Sequence, residues 1–161
     1  MNKQASIEMA SNSRMSAAVH VLALLASKDK TLLTSAEIAE RVSTNPVVIR
    51  RLMRPLRRAN IVRSRGGAGG GWELVGKADA ISLLAVWKAV ECDDVIAFDG
   101  HRPNPLCPIG RNIEEALRPA YRHANKAAER ELRRVTLGSL LDSTRRSTKR
   151  ISRSLSRKIA R

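Results

Sequence analysis

Apolar positions along this chain recur at two spacings, and the spacings divide it into elements. Ile49, Leu52, Met53 and Leu56 fall at i, i+3, i+4 and i+7, the stripe of a helix with one face to bury. Asn45 can cap that helix and Pro46 suits its first turn. Pro55 lacks the N–H that would bond Arg51, so a bend is expected near the last turn, with the helix ending about Ala59 and Asn60 as its stop. Ahead of it, Thr34 followed by Glu37 makes a capping box, opening a helix whose inner face is Ile38, Ala39 and Val42. Ser43, Thr44 and Asn45 between the two helices form a turn of the length a helix-turn-helix uses. Met15, Val19, Leu22 and Leu25 mark the inner face of an earlier helix over 14–26.

After Asn60 the pattern changes. Residues 61–65 read as a strand and 72–75 as its return, and between them Gly66, Gly67, Ala68, Gly69, Gly70 and Gly71 carry almost no side chain. A hairpin placed directly after a helix-turn-helix is the wing of a winged helix. Ser82 then caps a helix over 83–91 with Trp87 in the core. Residues 92–108 are irregular and rich in proline and aspartate, the kind of long loop that tends to be functional or disordered. A long helical pattern over 108–135 follows. Its face is Ile113, Leu117, Ala120, Ala124, Ala127, Ala128, Leu132 and Val135, interrupted by Pro119. A face this rich in alanine suits close packing with another helix. It implies a dimer interface, with packing on its own domain as the alternative. Residues 136–141 read as a short final helix.

Composition bears on the partner. The 161 residues carry a net charge of +15 and 43% hydrophobic residues, enough for one domain with a real core. A pI near 11.3 points to a polyanion. Aromatics are only 2%, which starves a base-stacking surface for single strands and favours duplex DNA. No stretch reaches the length of a membrane span, and residues 1–13 lack the basic-then-apolar layout of a secretory signal, so the expected compartment is the cytoplasm. Two cysteines there imply reduced thiols rather than a disulfide framework. Residues 143–161 hold Arg145, Arg146, Lys149, Arg150, Arg153, Arg157, Lys158 and Arg161 without an acid, a basic tail expected to be disordered.

The charge is not spread evenly. Arg50, Arg51, Arg54, Arg57 and Arg58 lie mostly outside the apolar stripe of their helix, and arginine offers a planar fork to phosphates and guanine edges. This is the pattern of a DNA recognition helix. Enzyme chemistry is not supported by any Ser-His-Asp set, carboxylate pair or metal-ligand spacing, and His20 has no second ligand one turn away. The glycine run fails as a phosphate loop, because Trp72 follows Gly71 where Lys and Ser or Thr are required.

The segments Glu37-Ile38-Ala39-Glu40-Arg41, Asn45-Pro46-Val47-Val48-Ile49-Arg50-Arg51, Leu56-Arg57-Arg58-Ala59 and Gly69-Gly70-Gly71-Trp72-Glu73-Leu74 resemble the Rrf2 family of bacterial transcription regulators, the IscR/NsrR-like winged helices. Ile81-Ser82-Leu83 and Asn104-Pro105-Leu106-Cys107-Pro108-Ile109-Gly110 extend the likeness, which spans about 13–141. The resemblance implies a mainly α fold: a winged helix-turn-helix domain over 13–91, a sensor-like loop over 92–108, a dimerisation helix region over 109–141, and a tail over 142–161 outside it. It implies a homodimeric repressor on a palindromic operator. The major groove would be read by Ser43, Thr44, Asn45, Val47, Arg50 and Arg51, with Arg54 on the same face. The minor groove would take Arg65 beside Gly66. Cluster-binding members carry three cysteines in the loop before the long helix. This chain has Cys92 and Cys107 alone, so no iron–sulfur cluster, metal or other cofactor is expected.

A nonspecific basic nucleic-acid binder is the competing reading, since charge suits both, but the capping box, turn and wing belong only to the first. Cys107, just before the long helix, faces unpaired backbone N–H groups and the positive end of the helix dipole, which favour thiolate. An inert thiol covered by the loop is the first reading of that residue. A redox sensor, with Cys92 as the weaker candidate or resolving partner, is the second, and a small-molecule signal is the remaining possibility.

Overall fold

The stripe of Ile49, Leu52, Met53 and Leu56 is buried, and the other elements are built around it. The computed structural model describes residues 11–27, 32–91, 94–97, 104 and 106–147. In chain order it contains α1 (Ser11–Ser27), α2 (Ser35–Arg41), α3 (Pro46–Arg58), β1 (Val62–Arg65), β2 (Gly71–Leu74), a single 3-10 turn at Ala78–Ala80, α4 (Leu83–Val90) and α5 (Pro108–Arg134). Residues 137–147 are helical as well.

Local chemistry sets the ends of α2 and α3. The Thr34 hydroxyl accepts from the Glu37 backbone N–H, and the Glu37 carboxylate accepts from the Thr34 backbone N–H at 2.8 Å, closing the capping box. Asn45 Oδ1 accepts from the backbone N–H groups of Val47 and Val48, both at 3.0 Å, with Pro46 in the first turn. Between the helices Ser43 takes φ 54°, and the Thr44 N–H donates to Ala39 O at 2.9 Å. The α3 helix stops at Asn60, whose φ of 55° is the left-handed conformation that ends helices, and the Ile61 N–H reaches back to Leu56 O at 3.0 Å. Helix α3 runs unbroken through Pro55, as α5 does through Pro119. Proline removes one bond of the ladder, and the buried side chains on both sides of Pro55 hold the adjoining turns in place.

The hairpin is antiparallel, with Val62 opposite Leu74, Arg63 opposite Glu73, Ser64 opposite Trp72 and Arg65 opposite Gly71. It is shorter by one residue at Ile61 than the pattern predicts. Ile61 O still accepts from the Val75 N–H at 2.9 Å. A third segment joins it unforeseen: Leu33 and Trp72 exchange backbone bonds of 3.2 and 2.8 Å, and Trp72 Nε1 donates to Ser35 Oγ at 3.0 Å. The wing is thereby tied to the start of α2.

Two further expectations change. The buried face of α1 is Ala18, Val21, Leu22 and Leu25, while Met15 and Val19 are only half-buried. Helix α1 is apolar nearly all round and is packed by α3, α4 and β2, so spacing alone could not select its inner face. The C-terminal segment returns to the core: Leu137 is fully buried, its N–H donating to Ile81 O at 2.9 Å, and the Leu83 N–H donates to Val135 O at 2.8 Å. A Cβ on Gly138 would meet the exposed Asp79 carboxylate and lie 3.1 Å from the Asp79 backbone nitrogen, so the segment docks closely there. Helix then continues to residue 147, past position 142 where the basic tail was expected to begin. Cys92 and the tail beyond residue 147 lie outside the described residues.

Candidate nucleic-acid interface

With its apolar stripe turned inward against α2 and α4, α3 presents its opposite face to solvent. Arg50, Arg51, Arg54, Arg57 and Arg58 are all exposed on it. Among the described residues none of them is held in an ion pair, so five guanidinium groups stand open along one helix. Val47, 56% exposed, supplies an apolar contact at the helix start, a suitable partner for a thymine methyl. Ser43, Thr44 and Asn45 are exposed just ahead of it. Asn45 has its side-chain oxygen committed to capping, which leaves its amide NH2 as the group free to face outward.

The wing differs in its electrostatics. Glu73 Oε1 accepts from Arg63 Nε and from Arg65 Nε, each at 2.8 Å. The Arg63 hydrogen bond, above all, holds the Glu73 carboxyl below the usual carboxylate range; the charge of both guanidiniums and the Arg65 bond add to this, and partial desolvation opposes it. Sequence reasoning selected Arg65 and missed Arg63 and Glu73. The signal was present: positions 63 and 65 share one side of a strand, and the hairpin register sets Glu73 opposite the first of them. The glycine tip also divides by role. Gly66 has open space around it. Gly70 and Gly71 are required by the backbone packed against them, since a Cβ at Gly70 would collide with Arg65 O and one at Gly71 would sit 2.8 Å from Leu33 O.

Cys107 is half-buried and caps α5, its Sγ accepting from the Gly110 N–H at 3.3 Å. The loop ahead of it is pinned to α5 where Asn125 bonds both the N–H and the C=O of Ile96, at 2.8 and 2.9 Å.

The sequence model of the Rrf2 family, described as an iron-dependent transcriptional regulator, matches residues 11–143. The chain belongs to the Rrf2 family. It is 40% identical over 121 residues to YwnA of Bacillus subtilis (strain 168), which is named among HTH-type transcriptional regulators; the match covers 75% of this chain and 89% of YwnA. It is 33% identical over 111 residues to protein rrf2 of Nitratidesulfovibrio vulgaris, covering 65% of this chain and 67% of that protein. Among solved structures, CymR, the global cysteine regulator of B. subtilis, superposes with a TM-score of 0.62 at 22% identity, covering 81% of this chain and 95% of CymR. This Rrf2-family chain therefore has the winged-helix fold of bacterial DNA-binding transcription regulators.

Iron in the family's description requires a donor set. Among the described residues no three His, Cys, Asp or Glu side chains group as a metal site, and the sulfur of Cys107 is turned to the first turn of α5. The described residues alone therefore do not form an iron site, and Cys92 lies outside them. Among the described residues no helix is long and apolar enough to cross a membrane.

Proposed function

We propose that this Rrf2-family chain is a cytoplasmic homodimeric repressor that binds a palindromic operator and blocks transcription by occupying it. In this reading the N-terminal half of α3 enters the major groove, where Arg50 and Arg51 meet base edges, Arg54 meets the edge or phosphate beyond them, and Ser43, Thr44, Asn45 and Val47 fix the register. Arg65, next to Gly66, enters the adjoining minor groove. The observation that carries the reading is the open row of arginines on α3, backed by a buried stripe and flanked by a second arginine pair on the wing. The homodimer is supported by the apolar residues at the start of α5 and just ahead of it: Leu106, Ile109 and Ile113 are 87%, 74% and 41% exposed. Paired winged helices then call for paired half-sites.

The test begins with selection of bound duplexes from a random pool. A shared palindromic sequence is the expected product. Arg50→Ala or Arg51→Ala should then cost about 1–3 kcal/mol on the selected duplex and relax preference at one base pair. Equal affinity for selected and random duplexes would instead support a nonspecific basic nucleic-acid binder.

A further inference from the structure

The wing carries three charged side chains on one exposed face, and the middle one is an acid. An acidic group beside DNA repels phosphate, so its placement between two arginines needs an explanation beyond charge. Glu73 is largely covered, with 19% of its side chain exposed, whereas Arg63 and Arg65 are 59% and 60% exposed. Both bonds converge on one carboxylate oxygen, and each uses the arginine's Nε. An arginine held at Nε keeps its terminal Nη groups for another partner. Free arginine side chains carry rotamer entropy, which a groove contact must overcome if nothing restrains them beforehand.

We propose that Glu73 is a positioning residue for DNA recognition, gathering Arg63 and Arg65 into one preformed pair of guanidiniums whose outer edges enter the minor groove together. Arg63 is thereby a second minor-groove contact beside Arg65. The cost of ordering the pair is met in the free protein, so the groove receives two oriented cations. Groove width, which varies with base sequence, then decides whether both fit. The wing in this view contributes to discrimination between sequences, and Glu73 accounts for that contribution without touching DNA. This inference rests on the reading that the wing meets DNA.

The experiment compares the full-length wild type with Glu73→Gln, Arg65→Ala and Arg63→Ala, on the duplex selected by the wild type and on a random duplex of equal length. Glu73→Gln should bind random DNA more tightly, with a salt slope steeper by up to about 0.9 because one neutralising charge is gone. Its ratio of selected to random affinity should fall about threefold, the size an exposed ion pair supports. In NMR spectra without DNA, the Nε–H signals of Arg63 and Arg65 should be protected from exchange in the wild type and lose that protection in Glu73→Gln. A ratio unchanged or raised in Glu73→Gln, with Arg65→Ala still weakening binding, overturns the positioning role and leaves the wing contact standing. Unchanged binding by Arg65→Ala and Arg63→Ala together removes the wing contact itself. Unprotected Nε–H signals in the wild type overturn the preformed pair whatever DNA does.

Discussion

Helices α3 and α5 have the same kind of sequence and opposite surroundings. Each is amphipathic, each is rich in arginine, each starts with proline and each carries a second proline inside. In α3 the apolar stripe is covered by the chain itself: Ile49, Leu52, Met53 and Leu56 are 0–5% exposed. In α5 no described side chain is buried, and Ile109 and Ile113 at its start remain 74% and 41% exposed. Its later turns lean on α4, where Lys88 pairs with Glu129 at 3.2 Å, but Ile109 and Ile113 in its first turns stay exposed among the described residues. The lesson is that periodicity reports a face that wants burial and says nothing about what buries it. For α3 the answer lies within the subunit, which leaves its arginines exposed for the proposed DNA contact. For α5 the proposed answer is the same helix of a second copy.

The comparison can be broken most sharply at α5. Replacing both Ile109 and Ile113 with aspartate should raise the dimer dissociation constant about a thousandfold, roughly 2 kcal/mol per dimer for each position, counting both copies. Sedimentation or light scattering should report a folded monomer. If the double variant keeps the wild-type mass at micromolar concentration, another surface joins the subunits. Next comes the covered stripe of α3. Leu56→Ala should destabilise the fold by about 3 kcal/mol, because a fully buried leucine leaves a cavity that its neighbours refill only in part. Denaturant melts read this directly, and a loss below about 1 kcal/mol would mean that the stripe is not the centre of the core. The smallest effect concerns the start of α3. Asn45→Ala removes the acceptor of two N–H groups and should cost about 1 kcal/mol of stability. Asn45→Asp keeps the cap, so it should retain stability while losing the outward amide NH2. If Asn45→Asp binds the selected duplex as the wild type does, Asn45 serves as a cap alone.

What the sequence determined by itself was everything that rests on short-range chemistry. Thr34 and Glu37 are three residues apart and close their capping box without help from elsewhere. Asn45, Pro46 and the stripe behind them define α3, Asn60 ends it, and the glycine run between two short strands defines the wing. Those elements, in that order, were sufficient for the fold class and the family. The tertiary structure decided what depends on partners distant in the chain. The inner face of α1 was illegible because nearly every side of it is apolar and three neighbours compete to cover it. The Leu33–Trp72 bridge and the return of Leu137 to Ile81 join segments far apart in the chain, a pairing that no local pattern shows. The Glu73 pairing with Arg63 and Arg65 needed the register of the hairpin, because a slip of one residue would turn the acid to the other face of the sheet. Local spacing sets which elements form; register and burial, which belong to the whole fold, set which charges meet.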